Sequence, residues 1–153
     1  MRHTPRGSTD TDIDSVVALA FEHTAGAVPH PSADIPSARE WVSAALFISG
    51  PWECVVTLAV DSALASTLTS AMWDTAEVSR ADVDDAVGEL ANLVAGGVKG
   101  MTPHPGCSLS TPVVARGDLP ASVLAAVLPD AERDHTVRAY LVGEHPVVLS
   151  VQA

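Results

Sequence analysis

Three polar residues in "DVDDAVGELANLVAGGVKG", residues 82–100, combine types and spacing that could do chemistry: Asp85, Glu89 and Asn92. The stretch reads as one amphipathic helix. At about 100° per residue, Asp85, Glu89, Asn92 and Gly96 fall in a single stripe. A carboxylate and a carboxamide one turn apart set a charged acceptor beside a neutral group that both donates and accepts hydrogen bonds. Asn92 is the only asparagine in 153 residues. It stands mid-helix, where its short amide competes for backbone hydrogen bonds and costs roughly a few tenths of a kcal/mol relative to Ala. A solvated helix face accounts for the two acids, and a tolerated mid-helix Asn accounts for the amide. A functional pair instead explains why Ala, used freely elsewhere, is not at position 92. On spacing alone both readings stand.

The other reactive side chains make thinner cases. His104-x-x-Cys107 has ligand-like spacing, but structural zinc takes about four such ligands and no second pair follows. His104 is expected in an exposed turn and Cys107 at a strand start. Cys54 lies inside an apolar run with nothing basic beside it, which suits a buried thiol rather than a nucleophile. Around Ser49 the nucleophile-elbow pattern G-x-S-x-G is absent. Gly96-Gly97 falls within the helix and is no phosphate loop. Trp52, beside a hairpin turn, is expected to pack on a sheet.

The helix that must carry the polar stripe has an apolar one about 200° away: Val83, Val87, Leu90 and Val94, extended by Val98. Ser79 is its expected N-cap, with Asp82 three residues on as a capping-box partner, and it should run from about Arg80 to Met101. An earlier helix is expected over 12–24 from Ile13, Val16, Val17, Ala20 and Phe21, ended by Gly26. The proline-bearing segment 27–37 reads as a loop. Two β-branched, apolar runs around Gly50-Pro51-Trp52 read as a hairpin. Next come a short helix over 62–72 with Asp61 as N-cap, a strand over 108–116, and a short helix from Pro120. Two last strands flank Gly143-Glu144-His145. The expected fold is α+β, with a largely antiparallel sheet and two long helices packed on one face. Residues 1–10 are expected as a flexible tail and 11–153 as a single domain.

Composition bounds the partners. The chain is 47% hydrophobic, with three Trp, two Phe and one Tyr, so its core must be mostly Ala, Val and Leu. A net charge of -11 and only eight scattered Lys and Arg argue against nucleic acid or an anionic membrane. No apolar run approaches the roughly 18 residues of a membrane span, and the polar N-terminus has no signal-peptide core. Two cysteines are too few for a disulfide framework. A cytoplasmic location with reduced thiols is the expectation.

The string Asp85-x-x-x-Glu89-x-x-Asn92 followed by Gly96 resembles the signature of the CheC/CheX/FliY family of chemotaxis phosphatases. "FISGPWECVVTL" (47–58) resembles the family's first hairpin and "SLSTPVV" (108–114) the strand after its motif helix. The first helix, "DIDSVVALAFEH", has no Asn, so the second site of two-motif members is not carried over. The single motif makes the chain look like CheX.

That resemblance implies a phosphatase acting on the phosphorylated aspartate of a CheY-like response-regulator receiver domain. Asn92 would orient the attacking water and Glu89 would pair with the receiver's lysine. Asp85 and Gly96 would serve partner binding, with Gly97 beside Gly96 helping a close backbone approach. It implies no cofactor or metal of the chain's own, Mg²⁺ in the partner receiver, and a possible homodimer joined sheet edge to edge. The rival reading is a receiver-binding or dimerisation module that hydrolyses nothing. A weaker one is a structural part of a larger switch or motor assembly.

Overall fold

In the computed structural model the described residues are 9–101, 106–121, 123 and 135–153. Helix α1 (Thr9–Ala25) leads to strands β1 (His30–Ser32), β2 (Trp41–Ser49) and β3 (Cys54–Asp61). Helices α2 (Ser62–Trp73) and α3 (Arg80–Gly100) follow, then β4 (Ser108–Leu109), β5 (Val113–Gly117), β6 (His135–Val142) and β7 (His145–Gln152). Among the described residues the strands form one seven-stranded antiparallel sheet in the order β1-β6-β7-β3-β2-β4, with β5 also paired to β2. The expected α+β class with an antiparallel sheet is the one observed.

The pleat decides which face the helices cover. Val42, Ala44, Leu46 and Ile48 of β2 alternate onto the same side as Cys54, Val56, Leu58 and Val60 of β3 and Val147 and Leu149 of β7. All are buried there against the apolar stripes of the three helices: Ile13, Val17 and Phe21 of α1, Leu64 and Leu68 of α2, and Val83, Val87, Leu90 and Val94 of α3. A smaller cluster of Trp41, Ala59, Val123, Ala139 and Val148 lies on the opposite face.

Three segments differ from the sequence expectation. Helix α1 starts at Thr9, three residues before Asp12. Inside the expected loop 27–37, His30–Ser32 adds an edge strand to β6, pairing His30 with Leu141 and Ser32 with Ala139. Three residues are too short to show alternation, and Pro31 is tolerated because an edge strand needs donors on one side only. The expected strand 108–116 is split into β4 and β5. Ser49 pairs with Ser108 but Ala45 pairs with Val113, so the second run is displaced by one residue. Ser110 causes the break: its Oγ accepts from Phe47 N at 2.8 Å, taking a donor that the ladder would have used. The helix expected from Pro120 lies mostly outside the described residues, as do residues 1–8 of the expected tail 1–10, whose last two residues belong to α1.

Two contacts seat α1. Gly97 of α3 lies under Val16: an added Cβ there would sit 2.4 Å from Val16 Cγ1. The missing side chain of Gly97 therefore serves the α1–α3 contact within the fold. Asp14 then joins α1 to β6. Its Oδ1 accepts from Arg138 Nε at 3.0 Å and Tyr140 Oη at 2.6 Å, and its Oδ2 from Arg138 Nη2 at 2.6 Å. Burial alone would raise the Asp14 carboxyl, but the hydrogen bonds from Arg138 and Tyr140 and the guanidinium charge outweigh it and hold the pKa below the usual range.

Gly97→Ala should destabilise the protein by about 1–3 kcal/mol in denaturant titration, because the stiff β-branched Val16 cannot move aside, and Val16→Ala should restore part of the loss. Gly96, where an added Cβ would meet nothing within 4 Å, should behave oppositely, Gly96→Ala gaining up to about 1 kcal/mol. Asp14→Ala should cost about 1–2 kcal/mol at neutral pH, at the lower end because both partners are about a quarter exposed. As the folded pKa is depressed, the wild-type advantage is full above the unfolded carboxylate value of about 4. It should vanish as pH falls through the folded value.

Candidate functional site

Helix α3 begins with the expected capping box: Asp82 N donates to Ser79 Oγ at 3.1 Å, and Ser79 N donates to Asp82 Oδ2 at 2.9 Å. The box spares two of the first-turn N–H groups that would otherwise lack partners. Burial of Val83, Val87, Leu90, Val94 and Val98 on the sheet then turns the opposite stripe outward. Asp85, Glu89 and Asn92 are exposed and Gly96 is half-buried. Among the described residues none of these three side chains has a hydrogen-bond or ion-pair partner. The amide is therefore not consumed by its own fold.

Beside the ridge runs an open groove of about 740 Å³. One wall is α3, with Asp84, Asp85, Gly88, Glu89 and Asn92. The other is the break between β4 and β5, with Ser110, Thr111 and Pro112. Gly88 forms the floor, where an added Cβ would lie 3.5 Å from the Pro112 ring. The wall exists because Ser110 interrupts the ladder, so the fault in the strand also shapes the groove. Leu93, 41% exposed, and Val113, 68% exposed, leave apolar surface near the two sides of the ridge.

The structure thus brings together all four residues singled out in the sequence on one face of one helix. The groove wall and Arg116 were not foreseen. Arg116 of β5 donates from Nη2 to Asp84 Oδ1 at 2.6 Å and to the Arg80 carbonyl at 3.1 Å. The row Arg80, Asp84, Gly88, Asn92 is visible at i, i+4 spacing, but no sequence signal links it to a residue 32 positions further on.

Of the other candidates, Cys54 and Cys107 are both buried and free. Cys107 Sγ reaches the Trp52 carbonyl at 3.7 Å, and Trp52 packs against the main core as expected. Burial, reinforced by the nearby Cys107, pushes the Cys54 thiol up to about 12. His104 lies outside the described residues. Among the described residues, no group of three or more His, Cys, Asp or Glu side chains is placed to hold an ion, and no helix is long and apolar enough to cross a membrane.

Residues 42–126, more than half the chain, match the family described as "Chemotaxis phosphatase CheX". The chain belongs to the CheX family. The match includes the whole of α3 and both walls of the groove. Solved structures agree on the fold. Chemotaxis protein CheX from Vibrio vulnificus is 19% identical with a TM-score of 0.75, covering 98% of this chain and 99% of that one. A CheC-like superfamily protein from Shewanella sp. PV-4 is 16% identical at a TM-score of 0.73, over 95% and 97% of the two chains. The CheX–CheY–BeF3–Mg²⁺ complex from Borrelia burgdorferi contains a chain 10% identical at 0.68, over 94% and 96%. No curated protein matches the sequence.

With its thiol held protonated and buried, Cys54 should react with a thiol reagent at neutral pH at least about tenfold more slowly in the native protein than in denaturant. Timed absorbance of the released chromophore checks this.

Proposed function

We propose that this chain is an aspartyl-phosphate phosphatase whose substrate is the phosphorylated receiver domain of a CheY-like response regulator. The observation that carries the proposal is Asn92: an exposed carboxamide one helical turn from Glu89, with no partner among the described residues, in a chain of the CheX family. The Borrelia assembly of CheX with CheY, BeF3 and Mg²⁺ supports a receiver as the partner. Beryllium trifluoride is a chemical mimic of a phosphoryl group.

The chemistry suits a neutral side chain. In a receiver the phosphoryl charges are already met by that domain's Mg²⁺ and lysine, so what hydrolysis lacks is a water held in line with the scissile P–O bond. Positioning is the main contribution open to a protein in phosphoryl transfer. Asn92 offers the water an acceptor and a donor without repelling the phosphoryl oxygens, as a carboxylate would. The water oxygen forms the new bond to phosphorus while the bond to the aspartate carboxylate breaks, the carboxylate leaves as the anion, and both protons of the water leave on the inorganic phosphate. Glu89 pairs with the receiver's lysine and fixes α3 against the phosphoaspartate. Asp85 and Gly96, on the same stripe, meet the partner's surface. The chain itself supplies no metal or cofactor.

We also place the protein in the cytoplasm, where receivers act. We infer that it can form a homodimer through the open edge of β5, which among the described residues pairs only with β2.

Phosphate release from a panel of phosphorylated receiver domains tests the proposal. Wild type should accelerate release from at least one, Asn92→Ala should lose about 100-fold or more while still binding, and Glu89→Ala should weaken binding as well. Equal rates for wild type and Asn92→Ala would remove the amide's role. Binding without acceleration by wild type would leave an adapter that docks on the receiver.

A further inference from the structure

We infer that Arg116 of β5 is a positioning residue for the Asn92 carboxamide, setting the rotation of α3 through its clamp on Asp84 and Arg80; this rests on the phosphatase reading. The apolar stripe of α3 settles which side of the helix faces the sheet. It does not settle the last few degrees, because burial is non-directional and Val and Ala side chains leave a smooth seam. A hydrogen bond is directional. Arg116 makes two to the same row of α3: Nη2 to Asp84 Oδ1 at 2.6 Å and to the Arg80 carbonyl at 3.1 Å. One turn further along that row, the backbone of Gly88 passes close enough to Pro112 that an added Cβ would lie 3.5 Å from its ring. One turn beyond that is Asn92, about 12 Å along the axis from Asp84. The row is thus tied to β5 at Arg80 and Asp84, passes close to Pro112 at Gly88, and ends at the exposed amide.

Sensitivity follows from the radius. A side-chain tip about 6 Å from the helix axis moves about 1 Å for a rotation of roughly 10°. Misplacement by about 1 Å can cost on the order of 100-fold in a reaction governed by orientation.

The composition of the clamp also argues for geometry over stability. The Arg116 side chain is 17% exposed, and its buried Nε has no hydrogen-bond partner among the described residues. Glu40 is 3.8 Å from Nη1, which is a loose contact. An apolar residue would fill the same space without an unmet donor, and the ion pair with the 40% exposed Asp84 adds little stability because water screens it. Lysine is a poor substitute, because its ammonium sits on a flexible four-carbon stem, whereas the planar guanidinium fixes the directions of the two Nη2 N–H bonds that meet the carboxylate and the carbonyl.

The test combines kinetics with a signal that does not depend on activity. Asn92 and Gln152 are the only side-chain carboxamides in the 153 residues. A ¹H–¹⁵N spectrum therefore holds two such NH₂ pairs, with Gln152 at the end of β7 as the internal control. Arg116→Met should shift the Asn92 pair and leave that of Gln152 in place. On a receiver that wild type dephosphorylates, it should lower kcat about tenfold or more with KM within about threefold, and Arg116→Lys should recover only part. If Arg116→Met does not fold, Asp84→Ala breaks the same contact from a 40% exposed position and should give the same signature. The double variant should be no worse than the more damaging single one. An unmoved Asn92 pair, unchanged kcat, a change confined to KM, or fully additive losses would each overturn the inference. If wild type releases no phosphate from any receiver, the phosphatase reading has failed, and the amide signal still decides whether Arg116 sets Asn92.

Discussion

Burial of the Val83–Val87–Leu90–Val94 stripe against β2 and β3 is the constraint from which the rest of the site follows. Each fully buried Val or Leu contributes about 1.5–3 kcal/mol. Rolling α3 far enough to hide Asn92 would lift several of these from the sheet. The gain from one buried amide hydrogen bond is only about 1 kcal/mol. The exchange is unfavourable, so Asn92, Glu89 and Asp85 stay in water because the opposite side of their helix cannot. The exposure of the polar ridge is thus a consequence of core packing.

Polar contacts then refine what the apolar ones leave loose, and they sit at the margins of the core. Asp14 with Arg138 and Tyr140 holds α1 to β6. Arg116 with Asp84 and the Arg80 carbonyl holds the start of α3 to β5. Asp61 caps α2 at 3.4 Å and accepts from His145 Nδ1 at 2.5 Å, joining that helix to β7. Each helix is therefore tied to a different strand by a directional contact. Exposed ion pairs add little to stability, but a contact that fixes an angle matters if, as proposed, the amide holds a water.

Elements with strong period were legible in the sequence; those defined by a partner were not. Ser79, Asp82 and the two stripes of α3 specify that helix from local information alone, and Asp61 and Gly50-Pro51-Trp52 do the same for α2 and the hairpin. Strand β1 exists only because β6 offers it an edge. The break at Ser110 exists only because a hydroxyl takes the Phe47 donor. Gly96 and Gly97 look alike in the sequence, yet Val16 lies against one and nothing lies near the other. The helical half of the site could be read directly, whereas the groove wall and Arg116 required the sheet that brings residues 110–116 beside 80–92.

Charge is the remaining restriction on how such a ridge could work. The chain carries a net charge of -11, and three carboxylates, Asp84, Asp85 and Glu89, line the groove. A phosphoryl group would be repelled by all three. Arg116 neutralises the one that reaches it, and under the proposed pairing the receiver's lysine meets a second. On the same proposal, the position nearest the reacting atoms falls to a group with no charge at all. An amide is the residue type that satisfies this while still holding a water by both its donor and its acceptor. A hydroxyl at that point has less reach, and a carboxylate would restore the repulsion. The mid-helix cost of an asparagine is thus set against an electrostatic requirement that Ala, the better helix former, cannot meet.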